Sequence, residues 1–342
     1  MSGKYNSLDK QARAKDYLSP ENTSSIKGIF AIIILFGHLK NGTQVLSTSP
    51  IGKLMGLLAY LVVGGFFFFS GYGLSINYKS KGREYIKRFP GRRLLPFYAT
   101  CMCFTFLNII MKLLIGQSLA IEFVLKSIFM PGVGVGFGWY IQALFFFYIL
   151  FWIVFYFFPH LNRVVGYCLI FFIYFSINFF FLPMLWWQSS LGFVLGCFWA
   201  EYKDIIDKAI GVKKGYIIIF SIIFITMAVT VLLGNINRLE IYWYSNFFKF
   251  FSIGPFIATI LLIVKTININ NLITRFLGRI SFEIYCVQVL FLELFHSRLI
   301  YIHNDILYIG LTIICVMSFS AIINPLINWI KKKSTINYKQ HN

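Results

Sequence analysis

The sequence predicts an all-α integral membrane protein with about ten transmembrane helices in one bundle. Of its 342 residues, 58% are hydrophobic and 20% are aromatic, and the mean hydropathy is +0.74. A soluble domain of this length could not bury so much apolar surface. The apolar runs are close to a membrane thickness in length and lack the alternation of polar and apolar residues that a β-barrel requires.

The distribution of Lys and Arg predicts how the chain is oriented in the membrane. With both termini in the cytoplasm, 24 of the 31 Lys and Arg residues fall on the inner side, as the positive-inside rule requires. Residues 1–25 and 331–342 are then cytoplasmic tails that flank one membrane domain at residues 26–330. The expected spans are 27–46, 54–76, 94–115, 139–158, 164–182, 184–201, 215–234, 247–265, 279–298 and 305–330.

The net charge and the cysteines exclude some functions. The charge of +19 comes from cations gathered in short segments between apolar runs, so it indicates topology and not nucleic-acid binding. All six cysteines lie inside apolar runs, where a buried, reduced thiol is the ordinary state. We therefore expect neither a disulfide framework nor a metal site.

The first predicted span carries a cation and a lone histidine on nearly the same face. Lys27 and His38 are eleven positions apart, and eleven steps of about 100° return to almost the same direction around a helix. At about 1.5 Å per residue, His38 lies roughly 16 Å from Lys27, near the middle of an apolar core about 30 Å thick. An ionisable side chain at that depth is costly. His38 is therefore either a tolerated polar residue facing the bundle interior or a functional residue.

The second span contains a run of aromatic and small residues that ends in Ser70, Gly71 and Tyr72. Glycines let helices approach closely, and a serine hydroxyl can donate a hydrogen bond across a helix interface. Plain helix packing explains this pattern as well as a site does.

The loop predicted between spans two and three is the most basic part of the chain, with seven Lys and Arg from Lys79 to Arg93. The positive-inside rule alone accounts for such a density. Arg88, Arg92 and Arg93, however, stand close together at a helix start. Because guanidinium groups can hold phosphates through paired hydrogen bonds, these residues also suggest a site for a nucleotide-like cytoplasmic ligand.

Two later segments contain further candidate residues. A glycine-rich segment, expected outside the membrane, leads into Trp139 and Tyr140, which are either interfacial aromatics or a platform for a sugar ring. In span nine, Gln288 is nine positions beyond Arg279 and therefore about 14 Å into the membrane, close to the depth inferred for His38. Glu283 in the same span should face protein or a cavity.

Together these motifs resemble the acyltransferase 3 family of ten-span membrane acyltransferases, from about residue 22 to residue 330. The order and spacing of the motifs are more specific than any one of them. Two departures stand out: Lys27 replaces the usual Arg, and Gln288 replaces a late His, with Phe282 in place of a Tyr. The matching residues are Lys27 and His38, Phe66–Gly71 with Tyr72, Arg92, Arg93, Pro96 and Tyr98, Trp139 and Tyr140, and Leu277–Val287.

The resemblance implies transfer of an acyl group, most often acetyl, from cytoplasmic acetyl-CoA or another acyl-CoA. The acceptor would be a hydroxyl of an envelope polysaccharide or lipid-linked saccharide outside a bacterial cell membrane, with no permanently bound cofactor. His38 would be the catalytic base or would accept the acyl group transiently. The resemblance assigns donor binding to Lys27, Arg88, Arg92 and Arg93, and site lining to Ser70, Gly71, Tyr72, Trp139, Tyr140, Glu283 and Gln288.

Two other interpretations remain open from the sequence. A transporter or flippase of a glycolipid would use His38 in a proton path, and coenzyme A binding would distinguish it from the enzyme. A catalytically silent family member is the other alternative, and the glutamine at position 288 is the feature that favours it.

Overall fold

The computed structural model describes residues 16–211, 213–235 and 242–340. Residues 1–15 of the expected N-terminal tail lie outside this range. The described residues form helices and no strand. The helices are α1 (Pro20–Leu39), α2 (Gln44–Thr48), α3 (Pro50–Lys87), α4 (Leu95–Leu114), α5 (Ile121–Phe129), α6 (Trp139–Phe157), α7 (Arg163–Phe181), α8 (Leu185–Gln188), α9 (Leu191–Ala209), α10 (Lys213–Gly234), α11 (Tyr242–Thr266), α12 (Leu272–Arg279), α13 (Ser281–Leu294) and α14 (Asp305–Gln340).

Within the described residues, eight helical segments are long and apolar enough to cross a membrane. The all-α membrane class is therefore confirmed, whereas the count of ten and the cytoplasmic termini stay predictions. The two remaining expected spans correspond to α9, whose second half is rich in charge, and α13, which has only 14 residues. The eight segments are Pro20–Gly42, Pro50–Lys87, Pro90–Leu114, Trp139–Phe157, Arg163–Phe181, Gly215–Gly234, Tyr244–Thr266 and Asp305–Lys333.

The chain divides into two compact units. Unit one contains the residues up to Ile33 together with Ala59–Ile76 and Trp187–Ser281. Unit two contains Ile34–Leu58, Asn77–Trp186 and the residues from Phe282 onward. His38, the basic segment and Gln288 all belong to unit two.

In unit one, the glycines of α3 allow the close packing that the sequence predicts. A Cβ on Gly71 would overlap the backbone carbonyl of Phe193 in α9, and a Cβ on Gly196 of α9 would overlap the carbonyl of Phe68 in α3. The two backbones therefore touch without intervening side chains. A Cβ on Gly73, by contrast, would meet no atom within 4 Å, so close helix packing does not explain that glycine.

In unit two, the segment between α4 and α6 folds back along α4, a position that the sequence does not predict. The Tyr98 hydroxyl, near the start of α4, donates a hydrogen bond to the carbonyl of Ile128 in α5. Gly134 lies against Thr105, halfway along α4. The loop from Pro131 to Gly138 is therefore level with the middle of α4 and not beyond its end. Successive tight turns, closed by backbone hydrogen bonds, make this compact path possible.

The basic segment is helical for most of its length, which corrects the predicted loop. Helix α3 continues to Lys87 and bends at Gly82, whose φ of +57° is readily adopted only by glycine. Lys, Arg and Glu favour helix, which explains why charge alone did not end α3. A single π turn, Pro90–Leu94, then leads directly into α4, and α14 packs against both the turn and α4.

Candidate functional site around His38

His38 lies in the last turn of α1, with its imidazole against an aromatic ring from the folded-back loop. The rings of His38 and Phe137 are parallel to within 13°, and their centroids are 4.0 Å apart. The Nδ1 atom of His38 is buried and has no hydrogen-bond partner. A buried imidazole nitrogen without a partner is costly, so this histidine retains hydrogen-bonding capacity that the fold does not use.

Gln288 lies beside the imidazole and is completely buried. Its side chain is placed to hydrogen-bond with His38, although the geometry leaves both His38 Nδ1 and Gln288 Oε1 without a well-aligned partner. The amide nitrogen of Gln288 donates to the carbonyl of Tyr285, one turn earlier in α13, at 3.0 Å. The amide is thus anchored at one end and has a free acceptor at the other.

Tyr285 connects α13 to the loop that carries Phe137. Its hydroxyl donates a hydrogen bond to the Phe137 carbonyl, and its ring meets the Tyr140 ring edge-on, with the centroids 5.4 Å apart. Tyr140 is buried, and its role in lining the site stays a prediction. Trp139 is partly buried beside it. We refer to His38, Phe137, Tyr285 and Gln288 as the imidazole cluster.

Arg88, Arg92 and Arg93 are all exposed on and beside the π turn of unit two. Arg88 makes a salt bridge of 3.5 Å with Glu84, one turn earlier in α3, and Arg93 lies near the hydroxyl of Tyr85. The exposed Arg88–Glu84 pair contributes little to stability. All three guanidinium groups are exposed, and their binding of a phosphorylated ligand stays a prediction.

Two acidic side chains in unit two are already paired within the protein. Glu283 is 1% exposed, accepts a hydrogen bond of 3.0 Å from Asn324 and lies 4.0 Å from Lys331. Glu293 binds Lys112 through both carboxylate oxygens, at 2.7 and 2.8 Å. Because both carboxylates have cationic partners, they are weaker candidates for a catalytic base than His38.

The chain matches the family model of the acyltransferase domain over residues 24–325. It belongs to the acyltransferase 3 family. No curated protein and no solved structure gives a significant match. The match covers nearly the whole chain and includes residues of both units.

Four family positions predicted to bind donor or line the site lie in unit one. Lys27 is partly buried in α1, and Ser70, Gly71 and Tyr72 follow one another in α3. The Tyr72 ring lies parallel to the Phe68 ring at a centroid distance of 6.3 Å. Within unit one, Gly71 has the packing role described above, and a role in donor binding or site lining stays a prediction for all four.

The sequence analysis missed a polar cluster in unit one. The Tyr17 hydroxyl donates to Asp207 at 2.8 Å and accepts from the Trp199 indole at 3.1 Å. Lys203 bridges Asp207 at 2.7 Å and Asp16 at 3.3 Å. Burial raises the pKa of Tyr17 well above its ordinary value. We call these five residues the N-terminal latch. The four-residue spacing of Lys203 and Asp207 on α9 was its only sequence signal.

Phe137 was also missed by the sequence analysis. An aromatic residue between two glycines carries no recognisable chemistry, and the pairing with His38 spans about a hundred residues of sequence.

Within the described residues, no cluster of His, Cys, Asp and Glu side chains could hold a metal ion.

Proposed function

We propose that this membrane acyltransferase moves an acyl group, most often acetyl in its family, from acyl-CoA to a saccharide hydroxyl. The acceptor is an envelope polysaccharide or a lipid-linked saccharide, and the location is a bacterial cell membrane. The observation that carries the proposal is the placement of His38: a partly buried imidazole, stacked on Phe137 and beside Gln288, whose buried Nδ1 has no hydrogen-bond partner. Membership of the acyltransferase 3 family supports the reaction class.

The mechanism uses His38 as a general base. The imidazole takes the proton of the acceptor hydroxyl while the hydroxyl oxygen forms a bond to the thioester carbonyl carbon. The carbon–sulfur bond then breaks, and the imidazolium returns the proton to the leaving thiolate. The products are an ester and the free thiol of coenzyme A, and His38 is neutral again. The histidine therefore needs one nitrogen free for the substrate, which agrees with its incomplete hydrogen bonding.

Gln288 takes the role of an orienting partner in this mechanism. Its Oε1 can accept a hydrogen bond from an imidazole N–H, which would fix the tautomer and leave the other ring nitrogen as the base. A glutamine cannot exchange protons as the late histidine of the family could. Complete burial beside His38 and anchoring to Tyr285 support hydrogen bonding as the function of this position.

The donor phosphates are assigned to the basic segment. Arg88, Arg92 and Arg93 are exposed cations that contribute little to the stability of the fold. Guanidinium groups bind phosphate through two parallel hydrogen bonds. Lys27 is a further candidate, although an ammonium group lacks the fork of the usual arginine.

The experiment that tests this function compares envelope glycans from cells with and without the gene by mass spectrometry. The expected difference is one acyl group per modified saccharide, acetyl being the first mass to seek. Cells that carry His38→Ala should match the deletion. Purified protein in detergent should also bind coenzyme A. Unchanged glycans together with no coenzyme A binding would favour a glycolipid transporter, whereas binding without transfer would favour the silent alternative.

A further inference from the structure

The Phe137 ring covers one face of the His38 imidazole. With a centroid distance of 4.0 Å and an angle of 13°, the two rings are in van der Waals contact over their surfaces. Phe137 is 44% exposed, so its contact with His38 is not simply the result of burying an apolar side chain. With 58% hydrophobic residues, the chain has many other apolar side chains that could pack against an imidazole.

The backbone of Phe137 is held in an unusual conformation. Its φ is +56°, and within the described residues it is the one non-glycine residue with positive φ. Side chains other than glycine rarely adopt this region, and such conformations persist where the surroundings impose them. A glycine at position 137 would relieve the strain but would supply no ring.

Two contacts with α13 impose this conformation. The Tyr285 hydroxyl donates its hydrogen bond to the Phe137 carbonyl. One turn further along α13, Val289 packs so tightly against Gly136 that a Cβ there would overlap the Val289 side chain. The same helix carries Gln288, so α13 fixes both the ring that covers the imidazole and the amide beside it.

We propose that Phe137 is a positioning residue that holds the plane of the His38 imidazole for proton transfer. This inference rests on the proposed function. Rotation about the χ2 torsion of histidine has broad energy wells, so hydrogen bonding at one nitrogen does not by itself fix the ring plane. Phe137 supplies the second constraint, and Tyr285 keeps Phe137 in place. Phe137 exchanges no proton and forms no bond with the substrate.

The test compares Phe137→Leu, which removes the ring, with Phe137→Tyr, which keeps it. Since misplacement of a catalytic group lowers kcat, the Leu variant should lose between about tenfold and 10²-fold in kcat, with KM for acyl-CoA changed by less than about twofold. The Tyr variant should recover most of kcat. Phe129→Leu is the matched control: Phe129 is 80% exposed in the same folded-back segment, and its loss should leave kcat unchanged.

A second measurement reports on the imidazole directly. In protein labelled at histidine, the ring protons of His38 should shift downfield in Phe137→Leu, because the ring current of Phe137 is lost, and should return in Phe137→Tyr. The inference is overturned if Phe137→Leu keeps kcat within about twofold of wild type, or if Leu and Tyr variants lose activity equally. These results differ from a failure of the proposed function, in which wild type transfers no acyl group or His38→Ala remains active.

Discussion

The N-terminal latch of unit one and the imidazole cluster of unit two differ in how completely their polar groups are paired. In the latch, the Tyr17 hydroxyl both donates and accepts, and Lys203 is shared by two carboxylates. In the imidazole cluster, His38 Nδ1 and Gln288 Oε1 are buried without well-aligned partners. The cluster also contains a strained backbone at Phe137.

The difference leads us to predict which cluster serves stability and which serves chemistry. Partly buried polar groups that satisfy one another fix a local structure and leave nothing for a substrate. Unsatisfied groups and strain lower stability, and they persist where function requires them. The latch is therefore expected to affect folding alone, and the imidazole cluster to affect turnover.

The largest effect is expected from His38→Ala. Because general-base catalysis contributes about 10²–10⁴-fold, transfer should fall by at least that order. Coenzyme A binding and the thermal unfolding midpoint should remain near wild type, since the change removes a proton acceptor and not an anchor. Transfer and donor binding are measured on purified protein with a labelled acyl-CoA, and the midpoint is measured by thermal unfolding of the same protein.

His296→Ala is the matched control for this variant. His296 stacks on Tyr308 at 4.1 Å and 10°, almost the geometry of His38 on Phe137, but it is exposed. Its loss should leave kcat unchanged. A folded His38→Ala protein that keeps more than about a tenth of the wild-type rate would remove the contrast between the two clusters.

The next largest effect is expected from reversing the charge of Arg92 and Arg93 together. If these residues hold the donor phosphates, the double change to Glu should raise KM for acyl-CoA by about tenfold or more, since each charge-assisted hydrogen bond contributes about 1.5–3 kcal/mol. The double change of Lys81 and Arg83, on either side of Gly82 in α3, to Glu alters the net charge equally and is the matched control. Equal losses in both double variants would show that only the overall charge matters.

A smaller effect is expected at Gln288. Gln288→His should be tolerated within about threefold in kcat, because either side chain can hydrogen-bond to His38, whereas Gln288→Leu should cost about tenfold or more. Steady-state kinetics with a fixed acceptor distinguish the two. An inert wild type in which Gln288→His creates transfer would show that the natural chain is a silent family member.

The smallest effect on activity is expected from the latch. Tyr17→Phe should leave kcat unchanged and lower the free energy of unfolding by about 1 kcal/mol through the lost hydrogen bond. Because burial raises the pKa of Tyr17, its neutral hydroxyl contributes fully below the ordinary pKa and is lost only as pH rises through the folded value. The stability difference should therefore be constant from about pH 6 to pH 9.

Tyr202→Phe is the control for the latch. Tyr202 is exposed on α9, the helix that carries Lys203 and Asp207, and its change should affect neither stability nor turnover. The contrast between the clusters fails if Tyr17→Phe lowers kcat without lowering the unfolding midpoint.

The sequence alone determined the membrane class, the positions of most spans and the candidacy of His38. Apolar run length and an ionisable residue in an apolar run are local properties, and they do not depend on how helices pack. The basic segment was located from composition as well. Its helical continuation past Gly82 was missed, because charged residues are compatible with both loops and helices.

Only the tertiary structure decided what surrounds His38. Phe137 reaches the imidazole because the segment after α4 folds back to the middle of that helix, and Tyr285 holds its carbonyl from another part of the chain. Tyr140 is buried, and Glu283 is buried beside Asn324 and Lys331. These outcomes depend on contacts between residues far apart in sequence, which no local pattern of residue types specifies.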